Sequence, residues 1–120
     1  MTKGILLIID TDVSLETELR WNLKQEGIVS EYSIERFAPN VILDRSAIVK
    51  DCVSQFEVKY GSGENVRACF VDIVVLERGA LDRLGIDIAV TLKNMHPNLP
   101  VFNVTKKLAH DEETDLFSEA

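Results

Sequence analysis

Oxygen-bearing side chains gather where the apolar runs of this chain stop. Residues 4–9 end on Asp10-Thr11-Asp12, residues 68–75 carry Asp72 near their end, and residues 100–104 end on Thr105. Carboxylates so placed can hold a hard cation such as magnesium. They can equally cap the helix that follows and offset its dipole, which alone accounts for acids at Asp10 and Asp12. Threonine suits a strand end without any function. Convergence is what separates chemistry from capping. In open parallel sheets, sites form outside the carboxyl ends of strands where the strand order reverses. A first strand lying between the second and third would bring Asp10, Asp72 and Thr105 to one edge.

The elements that must position these groups can be read from periodicity. Residues 4–9 are continuously apolar and rich in β-branched types, which predicts a strand buried on both faces. Leu15, Leu19 and Leu23 make one stripe of a helix over about 13–26, with Gly27 closing its C-terminus and Trp21 off the stripe. Residues 27–33 are predicted as a second, partly exposed strand. Residues 34–46 show no clear period and read as an insertion, in which Val41-Ile42-Leu43 packs on the body or forms a short strand. A helix over 47–58 aligns Ile48, Cys52, Val53 and Phe56, with Ser46 as its cap. Gly61-Ser62-Gly63 reads as a turn only, because a phosphate-cradling loop needs a following helix and a strand follows here. Residues 68–75 are predicted as the third strand. Residues 85–95 form a helix with Ile88, Leu92 and Met95 inward, stopped by Pro97, and residues 100–105 form the fourth strand. The acidic tail over 108–120 is expected to start another helix. Strands alternating with helices predict an α/β fold with a doubly wound parallel sheet, as one domain over residues 1–120.

Composition narrows the function. Lys and Arg number 13 against 20 Asp and Glu, for a net charge of −7. An acidic surface repels phosphate backbones, so direct nucleic-acid binding is not expected. The apolar runs are too short to span a bilayer and no signal-peptide core is seen, so no membrane role and a cytoplasmic location are expected. Cys52 and Cys69 form no Cys-x-x-Cys pair and read as buried reduced thiols. A cation at His96 suits the end of a helix.

The order and spacing of these motifs resemble the receiver domains of bacterial two-component response regulators. Leu6-Leu7-Ile8-Ile9-Asp10-Thr11-Asp12 matches the first strand and acidic cluster, and Gly27 closes the helix at the family's usual distance. Phe70-Val71-Asp72 matches the strand that carries the phosphoacceptor, and a glycine-led helix follows from Gly85. Leu99-Pro100-Val101-Phe102-Asn103-Val104-Thr105 matches the strand ending in the switch residue. The resemblance covers most of the chain. It implies a flavodoxin-like three-layer sandwich in which Asp72 accepts a phosphoryl group. It further implies magnesium held by Asp10, Asp12, Asp72 and the main-chain carbonyl of Val74, with Thr105 as the switch hydroxyl. A sensor histidine kinase or phosphotransfer protein is the implied partner. The output is a changed protein–protein interaction, so the chain is not expected to be an enzyme.

The sequence also departs from that pattern. Thr11 stands where the family has a second acidic metal ligand, Lys106 follows the switch position where a small residue is usual, and Leu76 replaces a proline. The segment before Asp72 and the loop over 77–84 are longer. The fifth strand, its lysine and the last helix are not read, so the sheet is expected to be C-terminally incomplete. Lys106 or Lys107 would then supply the phosphate contact. An apolar fourth strand left at an edge is a liability, so either a homodimer or a longer parent regulator is expected. These departures support a second reading, a phosphorylation-independent pseudo-receiver that docks or dimerises, with residues 34–46 as the contact. A flavodoxin-like cofactor domain is a third and weaker reading. No glycine-rich loop follows the first strand and no nucleophile–base pair is visible.

Overall fold

The structure, a computed structural model, describes residues 3–11, 13–39, 44–72 and 84–104, together with the backbone of 117–119. The elements run β1 (Ile5–Ile9), α1 (Ser14–Gln25), a 3-10 turn (Val29–Glu31), β2 (Ser33–Phe37), α2 (Arg45–Tyr60), β3 (Val66–Asp72), α3 (Leu84–Met95), β4 (Val101–Val104) and β5 (Phe117–Glu119). The sheet order is β2-β1-β3-β4-β5. The first four strands are parallel, and β5 pairs antiparallel with β4. This is the doubly wound, flavodoxin-like arrangement expected from the alternation of strands and helices.

The two faces of the sheet carry separate apolar clusters. Leu7, Ile9, Cys69, Val71 and Val101 meet α2 through Ile48, Cys52, Val53 and Phe56, and α3 through Leu84, Ile88 and Leu92. Leu6, Ile8, Ile34, Ala68 and Val104 meet α1 through Leu15, with Leu19 and Leu23 beside it. Phe70 and Phe102 stack on that same face, 5.7 Å between centroids and 25° apart in plane. The alternation along β1 thus assigns each residue a layer, as the two-residue period requires. Among the described residues, no helix is long and apolar enough to cross a membrane.

Several local expectations hold. Gly27 closes α1 at φ +75°, its N–H bonded to Lys24 O and that of Ile28 to Leu23 O, the paired bonds of a Schellman motif. Cys52 and Cys69 are buried and free. Trp21 is 60% exposed.

Others are corrected. The second strand is Ser33–Phe37 rather than 27–33, so the first part of the predicted insertion is sheet. Its charges disguised it. Glu35 accepts from Tyr60 Oη and Ser33 Oγ, and Arg36 pairs with Glu16, so both side chains are satisfied at a half-buried position. The second helix starts at Arg45 with Asp44 as its cap, whose side chain accepts from Ala47 N at 2.9 Å; Ser46 lies inside the first turn. Met95 is 51% exposed, because the four-residue stripe of Ile88 and Leu92 continues to His96, whose ring lies 5.2 Å from that of Phe56. Part of the tail expected to be helical is the strand β5. Its pairing closes the β4 edge on which self-association was expected. An edge strand's unpaired amides and carbonyls are satisfied most simply by a short antiparallel neighbour.

Candidate functional site

β1 and β3 are parallel neighbours in register Ile9↔Val71, and Asp10 and Asp72 each follow that pair directly. Alternation carries both side chains to the α1 face, Asp10 in line with Leu6 and Ile8, Asp72 in line with Ala68 and Phe70. Adjacent strands lie about 4.8 Å apart, so the two carboxyl groups are lateral neighbours. Both are shielded from solvent, Asp10 at 0% and Asp72 at 2% relative exposure. The chain leaves β1 toward β2 on one side and leaves β3 toward β4 on the other. Asp10 and Asp72 therefore straddle the point where the strand order reverses, at the carboxyl ends of the strands.

A charged side chain of β2, paired with one of α1, reaches the main chain of Asp10. Arg36 of β2 donates from Nη1 to the main-chain carbonyl of Asp10 at 3.2 Å and from Nε to Glu16 Oε1 of α1 at 3.2 Å. Glu16 Oε2 also accepts from Arg20 Nε and Nη2, at 3.1 and 3.0 Å. On the β4 side the buried Asn103, 8% exposed, donates from Nδ2 to Val71 O at 3.4 Å and to Gly85 O at 3.2 Å. Asn103 thereby ties the strand that carries Asp72 to the first turn of α3.

Of the residues the sequence singled out, the structure brings Asp10 and Asp72 together. Thr11 is exposed and adjoins Asp10. Asp12, Val74, Thr105, Lys106 and Lys107 lie outside the described residues, as do Leu76, the loop over 77–83 and residues 41–43. Arg36, Glu16 and Asn103 were missed as site residues. Arg36 fell in a stretch read as an insertion, Glu16 in the polar surface of a helix, and Asn103 inside a strand motif. An asparagine amid Val101, Phe102 and Val104 was the available signal, since a buried amide must find partners.

Two neighbouring buried carboxylates repel each other unless a proton or a cation lies between them. Their oxygens are the hard donors that suit magnesium. Among the described residues no group of three or more acidic, histidine or cysteine side chains is placed to hold a metal. Asp10 and Asp72 are thus a two-carboxylate nucleus to which Asp12 and the Val74 carbonyl would have to add. The clefts that are described lie elsewhere. One of about 530 Å³ sits beside Gly63, Arg67, His96 and Leu99. Another of about 600 Å³ runs between α2 and α3 beside Val49, Asp87 and Val90. Compared with family models, curated proteins and solved structures, the chain gives no match to any of them.

Proposed function

We propose that this chain is a receiver-type signalling domain that accepts a phosphoryl group on Asp72. The observation that carries the reading is the placement of Asp10 and Asp72, buried side by side across the reversal of strand order. In the step, an Asp72 carboxylate oxygen attacks phosphorus and the bond from phosphorus to the donor breaks. The donor's nitrogen or oxygen leaves with the electron pair. Magnesium, held by Asp10, Asp12, Asp72 and the Val74 carbonyl, would offset the charge of the transferring group. Thr105 would read the acyl phosphate and Lys106 would contact it, the local charge change biasing a neighbouring surface. The donor is a sensor histidine kinase or phosphotransfer protein, and the compartment is the cytoplasm. Intact-mass spectrometry after incubation with acetyl phosphate and magnesium tests this, with Asp72→Ala alongside. Gain of one phosphoryl group, lost in the variant, is the expected result. A folded chain that gains none refutes it.

One observation favours the alternative, a phosphorylation-independent docking or dimerisation module. Thr11 puts a neutral hydroxyl where a second acidic ligand would stand, and it is exposed. On that reading the carboxylate pair persists without phosphoryl chemistry, and magnesium leaves the stability of the chain unchanged.

A further inference from the structure

The β1–β2 ladder stops at Asp10 for a reason written in the sequence. Asp10 N–H donates to Phe37 O at 3.1 Å. In a parallel ladder the next rung runs from the N–H of residue 39 back to the carbonyl of Asp10. Residue 39 is a buried proline, which has no N–H to give. A buried main-chain carbonyl deprived of its donor is costly unless another group supplies one. Arg36 does so. It sits on the same sheet face, paired in register with Ile8, and its Nη1 reaches the Asp10 carbonyl at 3.2 Å. Its Nε is fixed at the same time on Glu16 of α1, which Arg20 holds from the other side. Arg20 Nη2 in turn donates to Ile34 O at 3.1 Å, so the network closes on β2 itself. A guanidinium can do this because its donors are spread over a rigid plane.

We propose that Arg36 is the positioning residue of the site: it replaces the ladder rung that Pro39 removes, and so sets the main chain that aims the Asp10 carboxylate at Asp72. The guanidinium lies on the β2 side of Asp10, away from β3, so it acts through Asp10 and not by touching a phosphoryl group. This inference rests on the phosphoacceptor reading of Asp72 for its functional consequence, though not for its geometry.

The geometry supplies its own test, because two substitutions should cancel. Arg36→Met removes the side-chain donor. Pro39→Ala restores the main-chain donor. Two readouts are taken: the carbonyl 13C resonance of Asp10, and the magnesium concentration that half-saturates phosphoryl uptake from acetyl phosphate. Arg36→Met is expected to shift the Asp10 carbonyl signal and raise the magnesium half-saturation by about tenfold, the scale of losing a group that orients a metal ligand. The double variant Arg36→Met with Pro39→Ala is expected to bring both back toward the wild type. Loss of the Glu16 ion pair alone would not be repaired by an amide at residue 39. An Asp10 signal that ignores Arg36→Met, or a double variant no better than the single one, overturns the proposal. A wild type that takes up no phosphoryl group while its Asp10 carbonyl responds to Arg36→Met refutes the phosphoacceptor reading and leaves the main-chain role of Arg36 supported.

Discussion

Tyr60, the last residue of α2, donates its hydroxyl proton to Glu35 Oε1 of β2 across 2.7 Å. The bond fastens the end of this 16-residue helix to a half-buried strand carboxylate. Burial, and then the neighbouring Glu35 carboxylate, push the phenol pKa above its ordinary value. A group whose folded pKa is raised lends stability that is complete below the unfolded value and is lost as pH rises through the folded one. Tyr60→Phe is expected to cost about 1–2 kcal/mol at neutral pH, the worth of a hydrogen bond to a charged acceptor at a half-buried site. Urea unfolding should show a variant whose stability falls less steeply above about pH 10 than that of the wild type.

Alkali should weaken the fold through the thiols as well. Burial pushes Cys52 up from 9.0 to about 12, and it pushes Cys69 higher still, with the other thiol adding to the effect. In the unfolded chain both ionise near pH 9. Folded, they stay protonated. Stability is therefore level below that pH and falls above it, by about 1.4 kcal/mol per pH unit for each thiol. Cys52→Ala should remove about half of the thiol part of the slope between about pH 9 and about pH 11. An unchanged slope would show that the thiols are already accessible to base.

The carboxylate pair makes an opposite kind of prediction. Two buried carboxylates on neighbouring strands oppose each other when both carry charge. Asp10→Asn or Asp72→Asn is expected to raise the melting temperature in the presence of a chelator. If the proposed magnesium site exists, the wild type is stabilised by the ion and the same change abolishes that gain, since a ligand stabilises only the state that binds it. Thermal melts with and without magnesium check both halves. A destabilised Asp72→Asn would mean that its contacts are worth more than the repulsion.

Two glycines differ in what surrounds them. Gly27 and Gly63 both have positive φ, +75° and +82°. A Cβ on Gly27 meets nothing within 4 Å, whereas one on Gly63 would lie 3.0 Å from Phe56 Cζ and 3.3 Å from Leu99 Cδ1. Gly27→Ala is expected to cost about 1 kcal/mol, the left-handed penalty alone. Gly63→Ala should cost about 2–4 kcal/mol, because overpacking a filled core adds to it. Urea midpoints of the two variants compare them directly.

The parts of this fold that were legible had one cause acting at a time. β1 and the faces of α1 and α2 could be read because apolar period alone decides them. β2 could not, since Glu35 and Arg36 are charged and only their partners on α2 and α1 make them compatible with a sheet. Met95 was misread because periodicity gives the direction of a side chain but not where the helix runs past its neighbours. Asp10 and Asp72 were legible singly, as acids that end apolar runs; their pairing hung on the first strand lying between the second and third, which the sheet order supplies. The carbonyl held by Arg36 was not, for it depends on a proline three residues further along and on a register no single strand reveals.

The central position of β1 also shapes how the chain is made. Its partner on one side, β2, follows after a single helix, so β1, α1 and β2 can close as a unit early in synthesis. Its other partner, β3, arrives only after α2. Until α2 and then β3 have emerged, Leu7 and Ile9 show their side of the strand to water, and the core that α2 and α3 later cover stays open. That interval during translation, more than any property of the finished molecule, is when the nascent chain is most open to capture by a chaperone or by its own kind.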